Sequence, residues 1–181
     1  MNLLWMDIET TGLTPDIHDI IDICLVETNR KGVEIKRHST KIKPNHNWKQ
    51  FAEARAMEVN HYTEEGWTEA SDIHEVENKI IQVFGSAANK GEILIPAGWN
   101  IPFDIMFVKE KFNLWDDESR KRVKLHHHPL DLMGLGWNYI KDQAKANLEM
   151  LCDRLGVKIE NAHTAEGDVN ACIECYKRLL Y

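Results

Sequence analysis

Four large apolar residues, Leu3 to Met6, lead directly into Asp7-Ile8-Glu9 and then into Thr10-Thr11-Gly12. A short unbroken apolar run closed by turn residues fits a strand buried on both faces, and such a strand lies in the middle of a sheet. Side chains alternate along a strand with a period of two, so Asp7 and Glu9 share one face at its end. Most Asp-x-Glu pairs are solvated loop ends, but this pair closes a strand expected to be central. Two like charges are costly to bury side by side unless a cation sits between them.

The rest of the chain supplies the partners such a strand needs. Ile20 to Val26 is a second β-rich run, and Val33 and Ile35 begin a third after the Asn29-Arg30-Lys31-Gly32 turn, so a three-stranded meander is expected. From Ser71 the period changes: Ile73, Val76, Ile80, Val83 and Phe84 recur at helical spacing, with Asp72 and Glu75 placed in the first turn. Ile93 to Ile95, ending at Pro96, reads as a further strand and Phe103 to Phe112 as a helix. Leu148, Leu151, Cys152 and Leu155 form a stripe that stops at Gly156, and Val169, Cys172, Ile173, Tyr176, Leu179 and Leu180 form the last one. The order βββ-α-β-α, a less regular region, then α and α predicts an α/β fold with a mixed central β-sheet flanked by α-helices. No repeat or linker divides the chain, so residues 1–181 are expected to form a single domain.

Composition excludes several classes. With 43% hydrophobic and 28% charged residues, 10 glycines and 5 prolines, the chain is neither disordered nor low in complexity. The longest uncharged run, Ile93 to Phe103, falls far short of the ~18 residues that span a bilayer, and the N-terminus meets an acid too early for a signal peptide. No membrane association is expected. Four cysteines are too sparse for a disulfide scaffold, which points to reduced thiols and a cytoplasmic location. The net charge of −7 argues against non-specific wrapping of nucleic acid, which needs many Lys and Arg contacts to phosphate. It does not exclude a nucleic-acid enzyme, because bound divalent cations reverse the local sign of a carboxylate site.

Together, Trp5-Met6-Asp7-Ile8-Glu9-Thr10-Thr11-Gly12-Leu13 resembles the first signature of the DEDD (DnaQ-like) 3′-to-5′ exonuclease family. The family's second signature, Gly-His-Asn followed by Phe-Asp, resembles Gly98-Trp99-Asn100-Ile101-Pro102-Phe103-Asp104. Its third, a His followed five residues later by Asp, is similar to His163-Thr164-Ala165-Glu166-Gly167-Asp168, and the histidine matches the DEDDh branch. Leu130-Asp131-Leu132 and Leu148 to Val157 resemble lesser family segments. The departure is Trp99, where many relatives carry His; as an aromatic its expected place is the core, with base stacking as the other use.

The resemblance implies a ribonuclease H-like fold and a metal-dependent 3′-to-5′ exonuclease that releases nucleoside monophosphates from single-stranded DNA or RNA with a free 3′ end. Two divalent cations ~3.5 to 4 Å apart can activate water, neutralise phosphate charge and stabilise the leaving oxygen. A set of oxygen ligands suits Mg²⁺ or Mn²⁺ rather than zinc. By resemblance, Asp7 bridges both metals, Glu9 and Asp168 complete the nucleophile-side site, and Asp104 holds its shell in place. A histidine with a pKa of ~6.5 is suited to take a proton near neutral pH, and the resemblance gives that role to His163. Thr10, Thr11 and Leu13 are implied to hold the 3′-terminal nucleotide, with Asn100 as a weaker contact.

DNA is favoured because Asp-Ile-Glu-Thr-Thr-Gly-Leu looks more like proofreading subunits than like oligoribonucleases. RNA trimming and oligoribonuclease activity stay open, as does a catalytically silent binder of nucleic acid or a protein. A polymerase partner or self-association is equally compatible with the chain. His126-His127-His128 alternate faces on an extended segment and are expected at the surface rather than around one ion. Cys172-x-x-Cys175 falls on the last apolar stripe and reads as core. The basic stretch Arg120-Lys121-Arg122-Val123-Lys124 is either a phosphate contact or a solvated face.

Overall fold

The computed structural model describes residues 1–85, 93–112, 123–140 and 145–180. Its first strand, β1 (Leu3–Thr10), is central: it pairs antiparallel along its length with β2 (Ile20–Thr28), and on its other edge parallel with β4 (Ile93–Gly98). β3 (Glu34–Lys41) closes the expected meander against β2. The meander strands are longer than the apolar runs alone indicate, and Asp7 and Glu9 lie inside β1 rather than after it. β2 is buried at every position, in keeping with its nearly continuous apolar sequence, whereas β3 is exposed and rich in charge, which suits an edge strand. Val33 stands just before β3 and, like Ile35, is exposed.

Two short strands, β5 (Lys124–Leu125) and β6 (Leu130–Asp131), both pair parallel with β4. Since β1 takes one edge of β4, they follow each other along the other edge, interrupted by residues 126–129. This explains how Pro96 sits within β4 rather than ending it. The Ile95 N–H points to the β1 side, where it donates to the Asn2 carbonyl (2.9 Å), so the N–H that Pro96 lacks would face the gap between β5 and β6.

Helices cover both faces. Leu4, Met6, Ile8, Ile23 and Leu25 pack with α2 (Ile73–Phe84) and α3 (Ile101–Lys111). Leu3, Trp5, Cys24 and Val26 pack with α5 (Leu148–Leu155) and α6 (Ala165–Leu180). Trp5 is fully buried, donates to the Thr28 hydroxyl (2.9 Å) and meets the Tyr176 ring edge-on, 5.1 Å between centroids. α2 begins with the capping box that Asp72 and Glu75 announce, α5 stops at Gly156, and α3 starts two residues earlier than expected, at Ile101. The less regular regions hold two short helices the periodicity does not reveal, α1 (Ala54–Val59) and α4 (Leu132–Gly136). Among the described residues, no helix is long and apolar enough to cross a membrane.

Candidate active site

The parity of β1 decides where its carboxylates go. Leu3 and Trp5 face the α5/α6 layer, so Asp7 and Glu9, two and four residues further on, face the same way. α6 packs on that face and offers Asp168 from its first turn. One carboxylate oxygen each from Asp7, Glu9 and Asp168 lie within 4.8 Å of one another, and among the described residues this is the one group with the spacing of a metal site. Asp104 approaches from α3 and is 3% exposed. β4 pairs with β1 only as far as Trp5, so β4 does not reach the Ile8 N–H on that edge. Asp104 takes it, accepting from the Ile8 N–H at 3.0 Å. The close approach at this point requires Gly98, since a Cβ there would stand 2.7 Å from the Met6 carbonyl oxygen. Asn100, in the left-handed region (φ 50), then turns the chain into α3, its N–H donating to Asp131 (3.0 Å).

His163 lies in the turn before α6 and is also left-handed (φ 61), an uncommon state for a residue with a Cβ. The Thr164 hydroxyl fixes this turn by donating to the Asn161 carbonyl (2.7 Å) and accepting from the Gly167 N–H (3.1 Å). Gly167 is required because a Cβ there would lie 2.2 Å from the Asn161 carbonyl oxygen. The His163 ring is 46% exposed, with Nε2 3.7 Å from a carboxylate oxygen of Glu149 on α5.

The Thr10 to Thr14 turn leaves β1 through an irregularity just after Glu9 and is tied down from all sides. The Thr10 hydroxyl donates to the Gly12 carbonyl (2.6 Å), the Thr10 carbonyl accepts from the Asn60 amide (2.7 Å), and the Thr11 hydroxyl accepts from the Asp19 N–H (2.9 Å). The N–H groups of Thr11 and Leu13 are engaged by Asp19 and Glu53, and buried His18 accepts from the Thr14 N–H while its other nitrogen faces the Phe51 carbonyl (3.1 Å). The hydroxyls of both threonines are thus engaged within the turn, and its outward element is the Leu13 side chain, 66% exposed.

Burial and mutual repulsion hold the carboxyl groups above their ordinary range. For Asp7 burial is the largest cause, followed by Asp104, Glu9 and Asp168, and the shift is large. Glu9 is pushed up to about 8 by burial, then by Asp168 and Asp22. Burial also raises Asp104, against the hydrogen bond from Ile8, and raises Asp168, against the pull of His163. Oxygen donors alone, closely spaced and costly to ionise together, suit a hard divalent cation, whose charge offsets their repulsion.

Asp22, which no motif marks in the sequence, stands opposite Glu9 across β1 and β2 and is itself raised to about 6, chiefly by burial. Glu149, Asn60 and His18 likewise lie outside the three signatures. A lone acid inside Ile20-Ile21-Asp22-Ile23 is the visible signal for Asp22. Trp99 is half-buried and packs against the α5/α6 core. Cys172 and Cys175 are buried in the same core, with the Cys175 sulfur 3.4 Å from that of Cys152. The rings of His126 and His127 stack (4.6 Å between centroids) and that of His128 lies tilted against His127 (4.0 Å), and none belongs to the converging carboxylate group. Of the basic stretch, Arg120, Lys121 and Arg122 lie outside the described residues.

A ribonuclease H-like sheet with four acids and a histidine gathered at the end of its central strand defines a class of nuclease. Residues 4–176 match the RNase_T exonuclease family, and the chain belongs to that family in its DEDD (DnaQ-like) form: it is an exonuclease, a hydrolase. A curated relative, the DNA polymerase III subunit epsilon of Treponema pallidum (strain Nichols), is 26% identical over 176 residues, which is 96% of this chain and 74% of the relative. E. coli exonuclease I in complex with a dT13 oligonucleotide superposes with a TM-score of 0.73 at 17% identity, covering 97% of this chain and 40% of that one. Exonuclease I from Methylocaldum szegediense gives 0.71 at 20% identity, covering 99% and 40%. The chain therefore spans about two fifths of the exonuclease I chains, and these likenesses carry the fold.

Proposed function

We propose that the chain is a metal-dependent 3′-to-5′ exonuclease of single-stranded nucleic acid, DNA in preference to RNA, that releases nucleoside 5′-monophosphates. The observation that carries this reading is the convergence of Asp7, Glu9 and Asp168 within 4.8 Å, with Asp104 bound to the same strand. Bound by these four carboxylates, a pair of Mg²⁺ or Mn²⁺ ions would supply an activated water and neutralise charge on the scissile phosphate.

The remaining work falls to the chain itself. His163, five residues before Asp168 and accessible to solvent, takes the proton of the attacking water; Glu149 beside it stabilises the imidazolium that results. Leu13 offers an apolar surface to the terminal base, and such contact tolerates any base. Asn100, exposed at the start of α3, contributes a secondary contact to the strand. Thr10 and Thr11 belong to the same nucleotide-binding turn, and their hydroxyl bonds within it hold Leu13 in place.

DNA as substrate is supported by the E. coli exonuclease I complexes with dT13 and dA16 oligonucleotides. Likeness to a polymerase III epsilon subunit supports a polymerase as partner. The apposed thiols of Cys152 and Cys175 fit a reducing cytoplasmic setting.

The test is a Mg²⁺ time course on single-stranded DNA and RNA of one sequence, labelled at the 5′ or the 3′ end. A descending ladder from the 5′ label, with immediate mononucleotide release from the 3′ label and faster loss of DNA, is the expected result. A ladder from the 3′ label would reverse the direction, and equal or faster loss of RNA would remove the preference for DNA.

A further inference from the structure

Asp22 is a fifth carboxylate on the face that carries Asp7 and Glu9. It stands opposite Glu9 in register, and its neighbours at the same parity, Cys24 and Val26, face the α5/α6 layer. It does not belong to the group whose oxygens converge within 4.8 Å. Placing a further buried acid beside that group adds repulsion, which an apolar residue in the same apolar run would avoid. Its position therefore calls for a structural return.

That return lies at the start of α6. The first N–H groups of a helix have no partner within it. The Thr164 hydroxyl accepts from Gly167 and the Thr164 carbonyl accepts from Asp168 (3.0 Å). The Ala165 N–H belongs to a fully buried residue, out of reach of water, and Asp22 accepts it at 3.4 Å across 143 residues of sequence. On its outer side the same end of α6 is held by Arg37 of β3, which donates to Glu166 and Asn170, both at 2.8 Å. Further along α6 the apolar side chains of Val169, Cys172 and Ile173 pack on the sheet, but at its first turn Asp22 is the polar tie to β2. Asp168 is just under one helical turn from Ala165, about 4.5 Å along the axis, so any displacement of Ala165 carries the Asp168 carboxylate with it.

We infer that Asp22 is a positioning residue which, by accepting the Ala165 N–H, fixes α6 on β2 and holds the Asp168 carboxylate in register with Asp7 and Glu9. The inference rests on the reading of those three residues as metal ligands. It makes the hydrogen-bond acceptor, rather than the negative charge, the property that matters. Asp22→Asn keeps an acceptor oxygen at the same place; Asp22→Ala removes it.

The test is Mn²⁺ titration of the full chain followed by electron paramagnetic resonance, for wild type, Asp22→Asn and Asp22→Ala, together with amide hydrogen exchange at Ala165 to Asp168. Loss of an outer partner of a metal ligand weakens metal affinity by about 10- to 100-fold. Asp22→Ala is expected to weaken Mn²⁺ binding at least tenfold and to speed exchange at Ala165, while Asp22→Asn stays within about threefold of wild type on both measures. Should the alanine variant fail to fold, Asp22→Leu, which fills the site without an acceptor, takes its place. Equal weakening in the Asn and Ala variants, or wild-type binding in both, would overturn the inference while leaving the metal site standing. A wild-type chain that takes up no Mn²⁺ would overturn the metal reading itself, and the role of Asp22 with it.

Discussion

In the proposed mechanism His163 and Asp168, five residues apart, divide the work: the histidine handles a proton and the aspartate a cation. His163→Ala is accordingly expected to cut turnover by about 10²- to 10⁴-fold with Mn²⁺ affinity unchanged, measured by single-turnover kinetics beside a Mn²⁺ titration. An equal loss in metal affinity would make the histidine structural. Leu13 has most of its side chain in solvent; if it meets the terminal base as proposed, Leu13→Ala should raise KM for a short oligonucleotide by several fold and leave the melting temperature unchanged. Asp7 and Glu9 stand out in the sequence because like charges are rarely placed at the end of a buried strand without a ligand, whereas Asp104 and Asp168 are picked out only by their resemblance to the family's second and third signatures. Asp22 is marked by neither: a single acid among Ile20, Ile21 and Ile23 is indistinguishable from the solvent-facing position of a half-buried strand until the register with Glu9 is known. The family resemblance implies Thr10 and Thr11 as nucleotide contacts; the fold adds that their hydroxyls shape the turn itself.

The element on which the site depends most is α6. It carries Asp168, follows His163, and is locked between Asp22 and Arg37, with its first turn against the backbone of Glu160 and Asn161. Replacing a glycine inside a helix by alanine ordinarily stabilises it by about 1 kcal/mol. At Gly167 the sign reverses, because the new Cβ would stand 2.2 Å from the Asn161 carbonyl oxygen; Gly167→Ala should destabilise by about 1–3 kcal/mol, seen in urea unfolding, and lower activity further than Leu13→Ala does. A more stable Gly167→Ala variant would contradict the packing described for this turn. The meander and the helices α2, α3, α5 and α6 were readable because each is long enough to show its period. β5 and β6 have two residues each, and α1 buries none of its residues, so neither pattern nor burial marked them in the chain. Pro96 looks like a strand end in the sequence because the split outer strand that accommodates it lies about thirty residues further on.

Across the whole molecule, the acids at the site couple stability to pH and to metal. Glu9, with an ordinary value of 4.5 raised to about 8, holds its proton in the folded state where the unfolded chain has lost it. Without metal, its contribution to stability is complete below about 4.5 and declines as pH rises towards about 8. Divalent cations displace the proton, so the rise in melting temperature produced by Mg²⁺ should grow across that window. Thermal unfolding from pH 5 to pH 9 with and without Mg²⁺ checks this, and Glu9→Gln should flatten the metal-free decline; a metal-free chain that gains stability with pH through Glu9 would contradict it. The ribonuclease H-like arrangement was legible at this scale because three motifs in order span nearly the whole chain, whereas the division of labour around α6 required the fold. The central claim, hydrolysis that depends on a cation held by Asp7 and its neighbours, is tested most directly by following mononucleotide release from single-stranded DNA. Wild type and Asp7→Ala are compared, each first stripped with chelator and then resupplied with Mg²⁺. Release that stops on stripping, returns with Mg²⁺ and is absent in Asp7→Ala is the predicted result; release that persists in the stripped enzyme or in Asp7→Ala would contradict it.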